Sequence, residues 1–351
     1  MPFTLNENDV VTGTLEDGSA FIFSTQASDF LSGVSLIETS TPTIDTTPQT
    51  INTTSTLRNV RAGQTLTVQS GGVLGDDFAV VDATFHVEDG TVGNFVEIAR
   101  SEVNISNGTI GDDFNTFDST VNISGGALGN RFQAFAGSNI NISGGSLGSF
   151  SNVNDVSTVN ISGGSLGFSF DSNDDSTVNI SGGSSNGFDA NDGSTVNISG
   201  GSVDIFDAND GSTVNISGGI VTSFDAFDSS TINISGGLFV TEFDALGDST
   251  VNIFGTEFFL NGELLDDLVL DQAFTIFDRG EDLVLSGLFA DGTAFDFDLD
   301  GVGDGFRKDF FGSGTTLTVT RVAVPEPGCG LTLATMSILL LSRRRRRAGT
   351  V

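Results

Sequence analysis

Residues 194–211 read STVNISGGSVDIFDANDG, and this stretch decides the fold. Its first six residues alternate in polarity, so Val196 and Ile198 face one way while the Thr, Asn and Ser side chains face the other. Such alternation is typical of a half-buried strand. The pair Gly200 and Gly201 then permits a tight corner, because glycine has no Cβ to obstruct the turn.

Two more apolar positions follow the corner in the same stretch. Val203 comes first, and Phe206 with Ala208 comes later, each set bounded by polar or turn-forming residues. Three apolar positions per copy predict a coil with three sides, each side directing one apolar position inward.

The pattern recurs every 18 or 19 residues, which indicates a solenoid. The eleven copies begin near Gln64, Ala83, Ser101, Ser119, Ser138, Ser157, Ser176, Ser194, Ser212, Ser230 and Ser249. One copy cannot bury its own apolar face, but copies stacked in parallel at ~4.8 Å place like residues on like. We therefore expect an all-β fold, a parallel β-helix of about eleven coils, and a right-handed one because parallel crossovers are usually right-handed.

Each of the first ten copies offers one phenylalanine for a continuous stack of rings inside the solenoid. The predicted members are Phe78, Phe95, Phe114, Phe132, Phe150, Phe170, Phe188, Phe206, Phe224 and Phe243. An outward column of asparagines is predicted on another side, where amide ladders stabilise sheets and a hydroxyl and amide surface can also bind polysaccharide. Its members are Asn104, Asn122, Asn141, Asn160, Asn179, Asn197, Asn215, Asn233 and Asn252, and His86 aligns with them.

Two related hairpin patterns flank the repeats, one on each side. Residues 1–37 and 284–298 share a hairpin pattern at a constant offset of 274, in which Gly13 and Phe21 correspond to Gly287 and Phe295. An open solenoid end needs cover, so caps are expected. The predicted division is an N-terminal β cap at 1–37, a Thr-rich connector or degenerate first coil at 38–63, repeats at 64–255, a second β module at 256–322 and a tail at 323–351.

Composition and charge limit the partners. The 351 residues include 46 acidic and 13 basic side chains, giving a formal net charge of −33, with 46 Gly, 31 Phe and neither Trp nor Tyr. Because a body with this negative charge repels nucleic acid and anionic lipid, no nucleic-acid partner is expected. The single cysteine, Cys329, excludes an internal disulfide framework.

The tail carries the most specific motif. Pro325, Glu326 and Pro327 precede an apolar stretch at 328–341 and a basic run, Arg343, Arg344, Arg345, Arg346 and Arg347. This tail resembles the PEP-CTERM sorting signal. The resemblance implies an exosortase as a transient membrane partner, recognition of the Pro-Glu-Pro triplet, and export to the bacterial cell surface or extracellular matrix.

The physics of the tail favours a temporary anchor. As a short C-terminal helix its apolar part spans ~21 Å, against ~30 Å for the hydrocarbon core, so it spans only with bilayer thinning. The arginines should remain cytoplasmic, which leaves the acidic body outside. Met1–Val10 lacks the basic and apolar regions of a secretory signal. We therefore expect a true start upstream of Met1, the alternatives being export by another route or a tail that is not a sorting signal.

Calcium is the alternative that the acidic residues suggest. Asp189, Asp207, Asp225 and Asp244 follow successive phenylalanines, and stacked carboxylates repel one another unless they are screened. A second set is spaced as in an EF-hand loop, although its twelfth position is Arg307 rather than Glu and its flanks alternate like a solvated strand. That second set is Asp296, Asp298, Asp300 and Asp304.

Catalysis is not expected. Coil length barely varies, so no insertion builds a cleft, and the only histidine, His86, lies on a predicted outer surface without an obvious partner. We therefore expect a non-catalytic, exported structural or adhesion protein without a cofactor. The alternatives are a calcium-dependent or polysaccharide-binding module, with exopolysaccharide as the partner, and a polysaccharide-degrading β-helix enzyme.

Overall fold

The computed structural model describes residues 10–15, 20–24, 44–280, 283–299, 309–312 and 314–323. Throughout these ranges the chain forms strands and turns, and no helix occurs in them. Parallel strands stack coil upon coil, which confirms the predicted all-β solenoid of about eleven turns.

Each coil has three faces, as the three apolar positions predict. The first, which we call the Asn face, carries the TVNI sequences. Its strands are Gln49–Ile51, Thr65–Val68, Thr84–Val87, Glu102–Ile105, Thr120–Ile123, Asn139–Ile142, Thr158–Ile161, Thr177–Ile180, Thr195–Ile198, the first parts of Thr213–Ala226, Thr231–Ala245 and Thr250–Leu260, and finally Thr316–Arg321.

The other two faces complete the coil. The strands of the middle face are Val73–Leu74, Thr91–Val92, Thr109–Ile110, Ala127–Leu128, Ser146–Leu147, Ser165–Leu166, Ser184–Ser185 and the start of Ser202–Ala208. Those of the Phe face are Asn59–Arg61, Ala79–Val81, Val96–Ala99, Phe114–Phe117, Gln133–Phe135, Ser151–Val153, Phe170–Ser172, Phe188–Ala190, the ends of Ser202–Ala208, Thr213–Ala226 and Thr231–Ala245, and Phe310–Phe311.

The interior is filled by the apolar side of each strand. Val196 and Ile198 are 0% and 1% exposed, and they lie in register with the same residue types in the coils on either side. The glycine corner is required by sterics, because Gly201 has a φ of 77° and a Cβ on Gly200 would collide with the carbonyl oxygen of Ser181.

The ring stack differs from the prediction at two of ten positions. Phe95 and Phe150 are 53% and 59% exposed, with φ of 58° and 64°, so both lie outside the core. Val96 and Ser151 occupy their places, in register with Phe114 and Phe170 respectively. The reason is a one-residue difference in register, which turns a side chain from one side of a strand to the other.

The remaining rings form an ordered stack. Successive centroids from Phe170 to Phe243 are 4.9 to 5.3 Å apart, and the interplanar angles fall from 33° to 4° along the stack. Phe311 adds a further ring 5.6 Å from Phe243. Because the buried rings are at most 1% exposed, each contributes about 2 kcal/mol by leaving water.

At the N-terminal end, residues 49–61 form a partial coil. Gln49–Ile51 pairs in parallel with Leu66–Val68, and Asn59–Arg61 pairs with Ala79–Val81. The described part of 38–63 therefore contains two short strands that pair with the coil that follows.

The N-terminal hairpin, Val10–Thr14 with Ala20–Ser24, lies on the side of the solenoid. Ile22 packs against outward apolar residues of the Phe face, including Val81, Ala99 and Phe117. The capping role of 1–37 therefore stays a prediction, and the described hairpin contacts a lateral surface.

The C-terminal region contains two kinds of strand. The hairpin Val284–Phe289 with Ala294–Asp298 repeats the register of the N-terminal hairpin, since Gly287 faces Phe295 as Gly13 faces Phe21. Thr316–Arg321 instead adds a parallel rung to Thr250–Gly255. Antiparallel Ala273–Ile276 then pairs with this last rung, and Glu263–Leu264 pairs with Phe259–Leu260.

Candidate functional site

The outer side of the Asn face carries a continuous amide ladder, as predicted. Each Asn Nδ2 donates to the Oδ1 of the asparagine one coil earlier, from Asn122 onto Asn104 through to Asn252 onto Asn233. All eight donor–acceptor distances are 2.8 to 3.0 Å. At the far end Thr318 Oγ1 donates to Asn252 Oδ1 at 2.7 Å, and at the near end His86 is in register with Asn104.

A column of carboxylates runs along the outer side of the Phe face. Asp189, Asp207, Asp225 and Asp244 are aligned coil upon coil as predicted, and Asp171 precedes them in the same register. These aspartates lie between the inward phenylalanine and the inward Ala or Ser of their coils, so the strand itself fixes their direction.

Burial against the sheet raises the pKa of these groups. The pKa of Asp189 is raised to about 6, first by burial and then by the charges of Asp171 and Asp207. The pKa of Asp225 is raised to about 7, by burial and then by Asp244, Asp207 and Glu242. Burial also raises the pKa of Asp171 and of Asp207. Of these groups, Asp189 and Asp225 therefore carry the largest upward pKa shifts, to about 6 and about 7.

Asp309 joins the end of this column to the C-terminal hairpin. One carboxylate oxygen accepts the backbone N–H of Phe243 at 2.8 Å, and the other accepts that of Asp298 at 3.0 Å. Burial raises the pKa of Asp309 to about 7, although these two hydrogen bonds act in the opposite direction.

Sequence reasoning missed three features of this surface. Asp171 follows Phe170 and was detectable by period, as was a second amide column two residues beyond the aspartates. In that column Asn173 donates to Asn154, Asn191 to Asn173 and Asn209 to Asn191, at 3.1 to 3.2 Å. Asp309 had no such signal, because it lies beyond the repeats.

The residues with EF-hand spacing are only partly within the described ranges. Asp296 is exposed and Asp298 half-buried on a strand whose inward residues are Phe295 and Phe297; Asp300 and Asp304 lie outside the described residues. The sorting motif, Pro325, Glu326 and Pro327 with Arg343–Arg347, lies outside them too, as does the expected C-terminal helix.

Three further observations concern metal sites, grooves and membrane-spanning helices in the described residues. Across the described residues, His, Cys, Asp and Glu side chains form no group of three or more arranged for a metal ion. A shallow groove near the first coils is lined by residues including Arg58 and Asp76. A membrane-spanning helix, judged by length and hydropathy, is not found in the part of the chain that the structure describes.

Comparison with known proteins adds no relative to this geometry. No family model matches the chain, and neither a curated protein nor a solved structure matches it.

Proposed function

We propose that this chain is a non-catalytic structural or adhesive protein that is exported to the bacterial cell surface or extracellular matrix. A β-solenoid is compatible with a structural or adhesive repeat protein, since stacked coils give a long surface at constant width. The observation that carries the proposal is the uniform coil: from Thr65 to Ile253 the Asn face pairs in register, and each coil is 18 or 19 residues long.

Export is supported by charge and by the resemblance of the tail. A body with so many acidic groups stays soluble and repels anionic surfaces, which suits a protein outside the cell. The Pro-Glu-Pro triplet and the arginine run resemble a sorting signal that an exosortase reads, and the five arginines are expected to remain on the cytoplasmic side.

Localisation tests the export step. The full chain and a Glu326→Ala variant, each fused to the same secretory signal, are produced in cells that contain an exosortase, and Glu263→Ala in the body serves as the matched control with the same fusion. The full chain and the control should reach the extracellular fraction, while the tail variant should accumulate in the membrane. An identical distribution of the full chain and the tail variant would contradict the sorting role.

Catalysis is tested separately. The purified chain is incubated with neutral and anionic polysaccharides at pH 5 and at pH 8, values that lie below and above the pKa values of Asp189 and Asp225, about 6 and about 7. No new reducing ends should appear. Release of reducing ends that is lost in an Asp225→Asn variant would instead favour a polysaccharide-degrading enzyme.

A further inference from the structure

The Asn face is uncharged over a long distance. From Thr120 to Ser235 the outward positions of seven successive coils are Thr, Asn and Ser, with Asn139 in place of one threonine. We call these outward positions of the Asn face the strip. Although the chain has 46 acidic residues, none of them occupies a position of the strip. The column of aspartates lies on the Phe face instead.

The strip retains unused hydrogen-bonding capacity. An asparagine amide has two N–H donors, and within the described part of the chain the ladder between Asn122 and Asn233 uses one of them per residue. Exposed serines follow the ladder, and Ser162 and Ser181 are two of them. Each coil therefore presents the same donors and acceptors every ~4.8 Å.

This chemistry excludes several kinds of partner. A charged polymer finds no opposite charge on the strip, and an anionic polymer is repelled by the acidic body. A protein interface usually has an apolar centre, whereas the outward positions of the Asn face between Thr120 and Ser235 carry no apolar side chain. A neutral, hydroxyl-rich polymer fits the remaining description, because its groups both donate and accept.

We propose that the Asn face binds a neutral polysaccharide. In naming a matrix polymer this inference rests on the proposed function, while the contact itself depends only on the strip. Each sugar–protein hydrogen bond replaces one to water, so a single coil contributes little. Seven coils in register contribute together, and the affinity should increase steeply with polymer length.

The two faces of the same coils provide a matched test. Ser162 and Ser181 are exposed beside the ladder, and Ser165 and Ser184 are exposed three residues later on the middle face. The double variant Ser162→Glu/Ser181→Glu places charge on the strip. The double variant Ser165→Glu/Ser184→Glu places equal charge on the same coils but on another face.

Binding is measured with the full chain. The probes are microcrystalline cellulose and soluble dextran as neutral polymers, short oligosaccharides cut from each, and alginate as an anionic polymer. We expect retention on a neutral polymer, binding to its short fragments weaker by at least about tenfold, a similar loss in the strip variant, and a change within about twofold in the middle-face variant.

Four outcomes would overturn the proposal. They are no binding to either neutral polymer, equal losses in both double variants, binding to alginate alone, and sedimentation as a dimer that the strip variant makes monomeric. The last would assign the strip to a second copy of this chain. Failure of export with binding retained in vitro would remove the proposed localisation but leave this inference standing.

Discussion

At the ring stack, a shift of one residue decides which side chain is buried. Phe132 is followed in register by Ser151 and then by Phe170, while Phe150 has left-handed backbone and points to solvent. Ser151 is a small polar residue at a position that elsewhere holds a ring, and its hydroxyl lies 3.4 Å from the carbonyl oxygen of Gly148. The core therefore has a local gap in its aromatic stack at this coil.

Alanine substitution should separate the two kinds of phenylalanine. Phe206 is 0% exposed, with ring centroids 5.1 and 5.0 Å from Phe188 and Phe224. Phe206→Ala should lower the free energy of unfolding by about 3–5 kcal/mol, because it removes buried surface and leaves a cavity. Phe150→Ala should change it by less than about 0.5 kcal/mol. Urea denaturation followed by circular dichroism measures both, and equal losses would restore Phe150 to the core.

Buried serines at one corner provide a second residue-level prediction. Ser212 and Ser176 are both 0% exposed, but the Ser212 hydroxyl has no hydrogen-bond partner within the described residues. Ser176 Oγ lies 2.8 Å from Ser172 Oγ and 3.1 Å from the carbonyl oxygen of Val153. A buried hydroxyl without a partner costs about 1–3 kcal/mol.

Removing the two hydroxyls should therefore have opposite effects. Ser212→Ala should raise the free energy of unfolding by about 1 kcal/mol, and Ser176→Ala should lower it by about the same amount. Thermal and urea unfolding of the two variants beside the parent chain provide the comparison. A loss of stability in both variants would show that the Ser212 hydroxyl is paired.

At the level of strands, stacking gives identical side chains identical neighbours. For asparagine this stabilises the sheet, because an amide both donates and accepts along the column. For aspartate it has the opposite effect, since ionised carboxylates one coil apart repel and the sheet partly desolvates them. The same periodicity thus produces a stabilising amide ladder on the Asn face and a column of mutually repelling carboxylates on the Phe face.

The raised pKa values in the aspartate column predict how the stability of the fold depends on pH. Asp189 and Asp225 have folded-state pKa values of about 6 and about 7, above the usual value of 3.8. A carboxyl whose pKa is raised by folding binds a proton more tightly in the folded state. Its contribution to stability is therefore complete below pH 3.8 and is lost as the pH rises through 6 to 7.

We expect the urea midpoint to decrease between pH 4.5 and pH 7.5, and Asp225→Asn to flatten that decrease. Asp228→Asn, on an exposed turn of the same coil, is the control. Groups whose pKa is lowered, such as Asp113 beside Arg131, act in the opposite direction at lower pH. A midpoint that increases toward pH 7.5, or that responds equally to both substitutions, would show that the column does not control this range.

Periodicity made these columns predictable, and its limits explain what was missed. Residues that recur at 18 or 19, such as the ladder asparagines, could be aligned without coordinates. The choice between Phe150 and Ser151 could not, because either spacing places one of them at the ring position. The position of Asp309 and the antiparallel pairing of Ala273–Ile276 depend on how a segment outside the repeats folds back. That segment has no repeated copies in the chain with which it could be aligned.

For the whole molecule, the consequence of stacking is that coils are interchangeable units. Each coil contacts only its neighbours, so stability is approximately a sum of coil and interface terms. Residues 194–211 form one coil, and without them Thr177 would face Thr213 and Phe188 would face Phe224 in the register that these residue types already adopt elsewhere. The solenoid should tolerate loss of this unit.

Two deletions test that interchangeability. Removing residues 194–211 should leave a folded chain with a cooperative transition and a rod shorter by ~4.8 Å, because every face keeps its partner type. Removing 194–202, half of the coil, should abolish that transition, since it places polar and apolar positions in the wrong register. Circular dichroism, urea unfolding and small-angle scattering of both variants supply the measurements. If removal of the whole coil is as damaging as removal of half, the coils are not equivalent and the additive description of this solenoid is wrong.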